Sequence, residues 1–165
     1  MNQPLVYEIG IPLFIAIYSG LPGLWIAEIL RKRNSSFFYC VKNFELTKKV
    51  EFYKLLKLDL FTFFVKNTFF RHCNTKIRIT KRPNIDEIDK LLNEITISEL
   101  CHFFGFIFVL LFQIAILISG FYVMFFSSIL FNTIFNLYPI LLQERNKLRL
   151  KNLLVILQTN TPSLV

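Results

Sequence analysis

Cysteine, histidine and tryptophan are scarce in this chain, with three, two and one in 165 residues, and charge is missing from two long stretches altogether. No Lys or Arg precedes residue 31, so the opening MNQPLVYE lacks the basic n-region of a secretory signal. There is no Gly-rich phosphate loop, no G-x-S-x-G elbow, no internal repeat and no low-complexity tract. Cys40, Cys73 and Cys101 all fall on the side assigned below to the reducing cytoplasm, so a disulfide framework is not expected. The histidines sit in "RHC" (71–73) and "ELCH" (99–102). Neighbours on a helix point about 100° apart, so Cys101 and His102 do not share one metal ion. A single Glu-x-x-His falls short of the paired copies that carboxylate-bridged bundles use. No metal is expected.

What is abundant is apolar surface. Hydrophobic residues make up 54% of the chain and twenty residues are Phe, yet the formal charge is +8. Apolar runs with excess Lys and Arg define an integral membrane protein with one strongly basic face. The same runs argue against a basic nucleic-acid binder. Ile9–Ala27 is uncharged between Glu8 and Glu28, and Leu100–Gln143 between Glu99 and Glu144. A bilayer core of ~30 Å takes roughly 20 helical residues, so the first run makes one span and the second two. Ser119-Gly120 supplies the turn between those two. The expected fold is an all-α membrane protein with three transmembrane helices at about 9–29, 100–118 and 121–143.

Charge sets the expected orientation. Fifteen Lys and Arg lie between residues 31 and 99, four lie between 145 and 151, and none lies in 1–8 or near 120. The N-terminus is therefore expected outside and the C-terminus in the cytoplasm. The chain reads as a single membrane domain in the cytoplasmic (inner) membrane. Its cytoplasmic or interfacial segment is 31–99 and its cytoplasmic tail is 144–165. Pro12, Gly20, Pro22 and Gly23 interrupt the first span, with a kink at "SGLPGLW". Residues 52–70 mix Leu and Phe with Lys54, Lys57, Asp59 and Lys66, which suits amphipathic helices lying in the interface or packed in a small cytoplasmic fold. Asn84 reads as an N-cap, followed by acids in the first turn.

The third span carries a polar seam. At 100° per residue, Ser128, Asn132, Asn136, Gln143 and Asn146 fall within an arc of roughly 80°. On the second span Glu99, His102 and Gln113 share roughly 60°. A turn at Gly120 would bring the stripes together, with His102 at the depth of Tyr138, Glu99 near Gln143, and Gln113 opposite Ser127 and Ser128. Deep amides and hydroxyls serve as interhelical glue or as function. At the cytoplasmic rim, His102 with Glu99 one turn away suits general-base work on a hydroxyl. Asn136, Gln143, Asn146 and Arg149 suit substrate binding and oxyanion stabilisation.

Two of these stretches resemble a known family. "ITISELCHFFGF" (Ile95–Phe106) and "NLYPILLQERNKLRL" (Asn136–Leu150) are similar to signatures of the glycosyl-diaponeurosporenoate acyltransferase family, with "FFRHCN" (Phe69–Asn74) and "IDEIDKLL" (Ile85–Leu92) adding support. The most specific parts are the Glu-x-x-His of Glu99 and His102 and the Gln-x-x-Asn-x-x-Arg of Gln143, Asn146 and Arg149. Many relatives place Tyr before that Asn and Arg after it, where this chain has Arg145 and Lys147. The resemblance implies transfer of an acyl group from a thioester-type donor to a hydroxyl of a glycosylated lipid, a carotenoid glycolipid in the family's name, with no resident cofactor. The competing expectation is a non-enzymatic small subunit of a larger membrane complex. It would use 52–70 or the seam to meet its partners.

Overall fold

The computed structural model describes residues 4–47, 49–67 and 83–160, and these are helical with no strand. The "FFRHCN" stretch and the end of 52–70 lie outside the described residues. The helices are α1 (Leu5–Tyr18), α2 (Gly20–Lys32), α3 (Ser36–Asn43), α4 (Val50–Leu55), α5 (Leu58–Asn67), α6 (Ile85–Ile118), α7 (Tyr122–Asn132) and α8 (Tyr138–Asn160). A π-turn, Thr133–Leu137, joins α7 to α8.

Three helical stretches are long and apolar enough to cross a membrane: Leu5–Lys32, Ile85–Ile118 and Tyr122–Thr159. The first is divided at Ser19, where the sequence placed its kink. The close approach of α2 to α6 follows from small residues on one face: Ala16, Gly20, Gly23 and Ala27. A Cβ at Gly23 would collide with the Cys101 carbonyl, so only glycine lets the two backbones meet there. On the facing helix, a Cβ at Gly105 would lie 2.7 Å from Asn136 Oδ1.

Gly120, at φ 78°, makes the turn from α6 to α7 at the expected place. Tyr7 and Ile11 of α1 share an apolar cavity with Phe112, Ser119 and Phe121, which puts the start of the chain and this turn at one end of the bundle. The other end is larger. Thirty-four helical residues at 1.5 Å rise make α6 about 51 Å long, well beyond a ~30 Å bilayer core. It starts at Asn84, whose Oδ1 accepts the Glu87 N–H at 2.7 Å, as a cap should.

The overhang of α6 packs against the end of α8. Ile88, Leu91, Leu92 and Ile95 meet Leu150, with Leu153, Leu154 and Leu157 around them. The tail after Gln143 therefore continues the third helix without a bend. Two further clusters hold the short helices to this frame. Phe38 of α3 packs with Ala27 and Leu100. Tyr53 and Leu58 pack with Leu142 and Leu148, next to Phe61 and Tyr138, whose rings are 5.1 Å apart.

Candidate functional site

The polar seam becomes a chain of hydrogen bonds through the bundle. Asn136 Nδ2 donates to Ser19 Oγ (3.0 Å) and to Asn132 Oδ1 (2.9 Å). Ser19 Oγ donates to Ala16 O (2.8 Å), and Asn132 Nδ2 donates to Phe106 O (3.3 Å). All three amide and hydroxyl side chains are buried. These bonds link the break between α1 and α2 to α6 and to the π-turn. They are the interhelical glue that amides supply where water is absent.

Toward the charged end, the seam opens into a cavity of about 200 Å³. Its polar lining is Ser98 and His102 from α6, Asn136 from the π-turn and Gln143 from α8. Its apolar lining includes Ala16 and Ile17 of α1, Phe61, Phe64 and Val65 of α5, and Leu142. Gln143 Nε2 donates to Ser98 Oγ at 3.1 Å, and Asn146 Nδ2 donates to Gln143 Oε1 at 3.4 Å.

The His102 ring meets the Phe135 main chain and the Asn136 side chain, and its Nδ1 is buried without a partner. Local sequence explains this placement. Pro139 has no N–H to give the carbonyl four residues back, and its ring crowds that carbonyl. That residue is Phe135, inside the π-turn. π-bulges are frequent at functional sites, and this one presents the Phe135 main chain to the His102 ring. Pro139 and the π-turn thus make a place for the His102 ring to bond.

Glu99, one turn before His102, is engaged elsewhere. Its Oε2 lies 2.8 Å from Lys147 Nζ, which also lies 3.0 Å from Glu144 Oε2 and donates to Val41 O at 2.7 Å. Glu144 Oε1 accepts the Leu46 N–H at 2.7 Å. All three charged groups are buried. This carboxylate–ammonium–carboxylate cluster ties α6, α8 and the segment around α3 together. Tyr53 packs nearby. Burial, and then the carboxylates of Glu144, Glu99 and Glu45, hold its phenol above the ordinary value of 10.0.

Of the residues singled out from sequence, His102, Asn136 and Gln143 share the cavity and Asn146 supports Gln143. Glu99 belongs to the ion cluster, and Arg149 is exposed on α8 away from the cavity lining. The pairing of the helices differs from an even antiparallel register. Residue 106 meets 132 and residue 102 meets 136, but 98 meets 143. The slip falls across the π-turn, whose extra residue accounts for part of it. Sequence reasoning missed Ser98, Lys147, Glu144 and Ser19. Ser98 alone had a legible signal, since it lies one helical turn from His102. Among the described residues, no group of three His, Cys, Asp or Glu is placed to hold a metal ion.

Three helices long and apolar enough to cross a membrane, around a mainly apolar cavity with four polar side chains in its wall, define a small helical membrane protein. The profile of one family, glycosyl-4,4'-diaponeurosporenoate acyltransferase, matches residues 34–156, and the chain belongs to that family. The match spans the cavity's α5, α6 and α8 walls and leaves out the first helix pair. No curated protein and no solved structure matches the chain significantly.

Proposed function

We propose that this protein is a membrane acyltransferase, moving an acyl group from a thioester-type donor onto a sugar hydroxyl of a glycosylated lipid, with a carotenoid glycolipid as the family's name directs. The observation that carries the reading is His102 in the cavity, with a free Nδ1 and its ring held by the Phe135 main chain. A ring nitrogen bonded to a carbonyl carries the proton, which leaves Nδ1 as the basic nitrogen. Nδ1 takes the proton of an attacking hydroxyl, and the Gln143 amide lies beside the reacting centre to stabilise the developing oxyanion. Phe61, Phe64, Val65 and Ile17 form an apolar wall against which an acyl chain lies. A non-enzymatic subunit would seal such a histidine with hydrogen bonds, whereas the Nδ1 of this one is left without a partner.

In the same reading the basic end of the bundle is cytoplasmic. Arg31, Lys32 and Arg33 close the first span and α3, α4 and α5 follow it in the chain, while the chain start shares the opposite end with the Gly120 turn. The cavity then sits at the cytoplasmic rim of an inner membrane, where a soluble donor meets a lipid acceptor. α4 and α5 expose Leu55, Leu60 and Phe63 beside Lys54, Lys57 and Lys66, a composition that suits the membrane surface.

The test is acyl transfer in membranes that contain the glycosylated lipid and a radiolabelled acyl-coenzyme A. Wild-type protein is expected to label the glycolipid, and His102→Gln, accumulating equally, to lose about 100- to 10,000-fold in rate. Unlabelled glycolipid with wild-type protein, together with stable co-purification of other membrane proteins, would replace this reading with the subunit one.

A further inference from the structure

We infer that Ser98 is the nucleophile of this site, and that the acyl group passes through an ester on its hydroxyl before it reaches the lipid. The inference rests on the acyl-transfer reading above and adds a covalent step to it.

Most hydroxyls along these helices bond back to their own helix, Ser19 and Thr159 to the carbonyl three residues earlier, while Ser128 is buried without a partner. Thr62, Thr96, Ser119 and Thr133 each donate to the carbonyl four residues earlier, the usual way a helix satisfies a hydroxyl in apolar surroundings. Ser98 makes no such bond among the described residues. Its Oγ instead accepts from Gln143 Nε2 and lies in the cavity wall. An accepted bond from an amide leaves the hydroxyl proton free to point at a base. His102 lies one turn further along α6, on the same face and in the same cavity, with Nδ1 buried and unpartnered. The third member is the Phe135 main chain, which meets the same ring. Nucleophile, base and base-orienting group are the arrangement by which a serine is activated. Gln143 adds a donor that stabilises the alkoxide as the proton leaves.

The step balances without a further reactant. Ser98 Oγ attacks the thioester carbonyl, and His102 Nδ1 takes the hydroxyl proton. The C–S bond breaks, the proton passes to the departing thiolate, and a thiol leaves with the acyl group esterified to Ser98. The sugar hydroxyl then attacks that ester. His102 Nδ1 takes the sugar's proton and returns it to Ser98 Oγ as the C–O bond to serine breaks.

The experiment uses the full chain in membranes and a radiolabelled long-chain acyl-coenzyme A, first without and then with the glycosylated carotenoid acid. Without acceptor, acid-quenched wild-type protein is expected to carry the label on the peptide containing Ser98, as an ester stable to neutral hydroxylamine. Ser98→Ala should carry no label and lose ~1000-fold or more in transfer. Ser98→Cys, a check on folding, should take up label as a hydroxylamine-sensitive thioester. Transfer to the glycolipid that persists in Ser98→Ala overturns the covalent step and leaves the acyltransferase reading standing, with direct attack by the sugar hydroxyl. Label on another residue of the wild type overturns the assignment to Ser98. Failure of the wild type to transfer at all, with or without acceptor, overturns both.

Discussion

Lys147 Nζ lies 2.8 Å from Glu99 Oε2, in a fully buried position, and 3.0 Å from Glu144 Oε2. The ammonium stands between two carboxylates from two helices, so its loss leaves like charges facing each other out of water. Removing one partner of a buried ion pair costs about 3–5 kcal/mol. Lys147→Met should therefore unfold at markedly lower temperature in mild detergent. Adding Glu99→Gln should recover part of the loss, since one stranded charge is then gone. A double mutant no more stable than Lys147→Met would sink the idea that charge burial sets the cost.

Glycine separates two outcomes on the first helix pair. At Gly23 a Cβ runs into the Cys101 carbonyl, whereas at Gly10 it meets nothing within 4 Å. Gly23→Ala must force α2 away from α6, at about 1–3 kcal/mol for overpacking. Gly10→Ala lies in an open stretch of α1 and should stabilise by about 0.5–1 kcal/mol through helix propensity. Comparing thermal inactivation of the two variants checks both signs at once.

The frame of this fold was written in charge and periodicity. Uncharged runs marked the three long helices, Gly120 marked their turn, and Asn84 with its acids marked the start of α6. The stripe Asn132–Asn136 was legible because amides in an apolar span stand out at helical spacing. Its partner Ser19 was not, because it is 117 residues away from Asn136 and its own surroundings read only as a kink. Lys147 was read as one more cation in a basic stretch. Its burial depends on distant partners, the Val41 carbonyl of α3 and the Glu99 carboxylate of α6. Ser98 had a legible position, one turn from His102, but no legible role, because nothing local says which helical serine forgoes its own backbone. That choice is made by Gln143 on another helix.

Pro139 has a predicted effect that reaches the chemistry through His102. Replacing it by Ala supplies an N–H to the Phe135 carbonyl and favours an unbroken α-helix there. The His102 ring then loses its backbone partner, while the polar lining of the cavity is unchanged and the Pro139 ring is trimmed from its apolar wall. A misoriented base should lower kcat by about 10- to 100-fold, with the KM for the acyl donor little altered. Steady-state kinetics on equal amounts of protein decide this. An unchanged kcat would mean that the π-turn serves packing alone.

The wall contributed by α5 can be loosened without touching the polar residues. Arg145 holds that helix through Asp59 Oδ1 at 2.7 Å and Thr62 Oγ1 at 2.8 Å, and α5 in turn places Phe61, Phe64 and Val65 in the cavity. Asp59 is largely exposed, so its bond to Arg145 is worth no more than about 1 kcal/mol. Asp59→Asn keeps the shape and removes the charge. The expected result is a rise of about 2- to 5-fold in the KM for the acyl donor, with kcat preserved, because an apolar wall binds ground state and transition state alike. Raising the salt concentration should shift the wild type in the same direction and Asp59→Asn much less. A fall in kcat at constant KM would instead assign α5 to the reacting centre rather than to the chain that lies beside it.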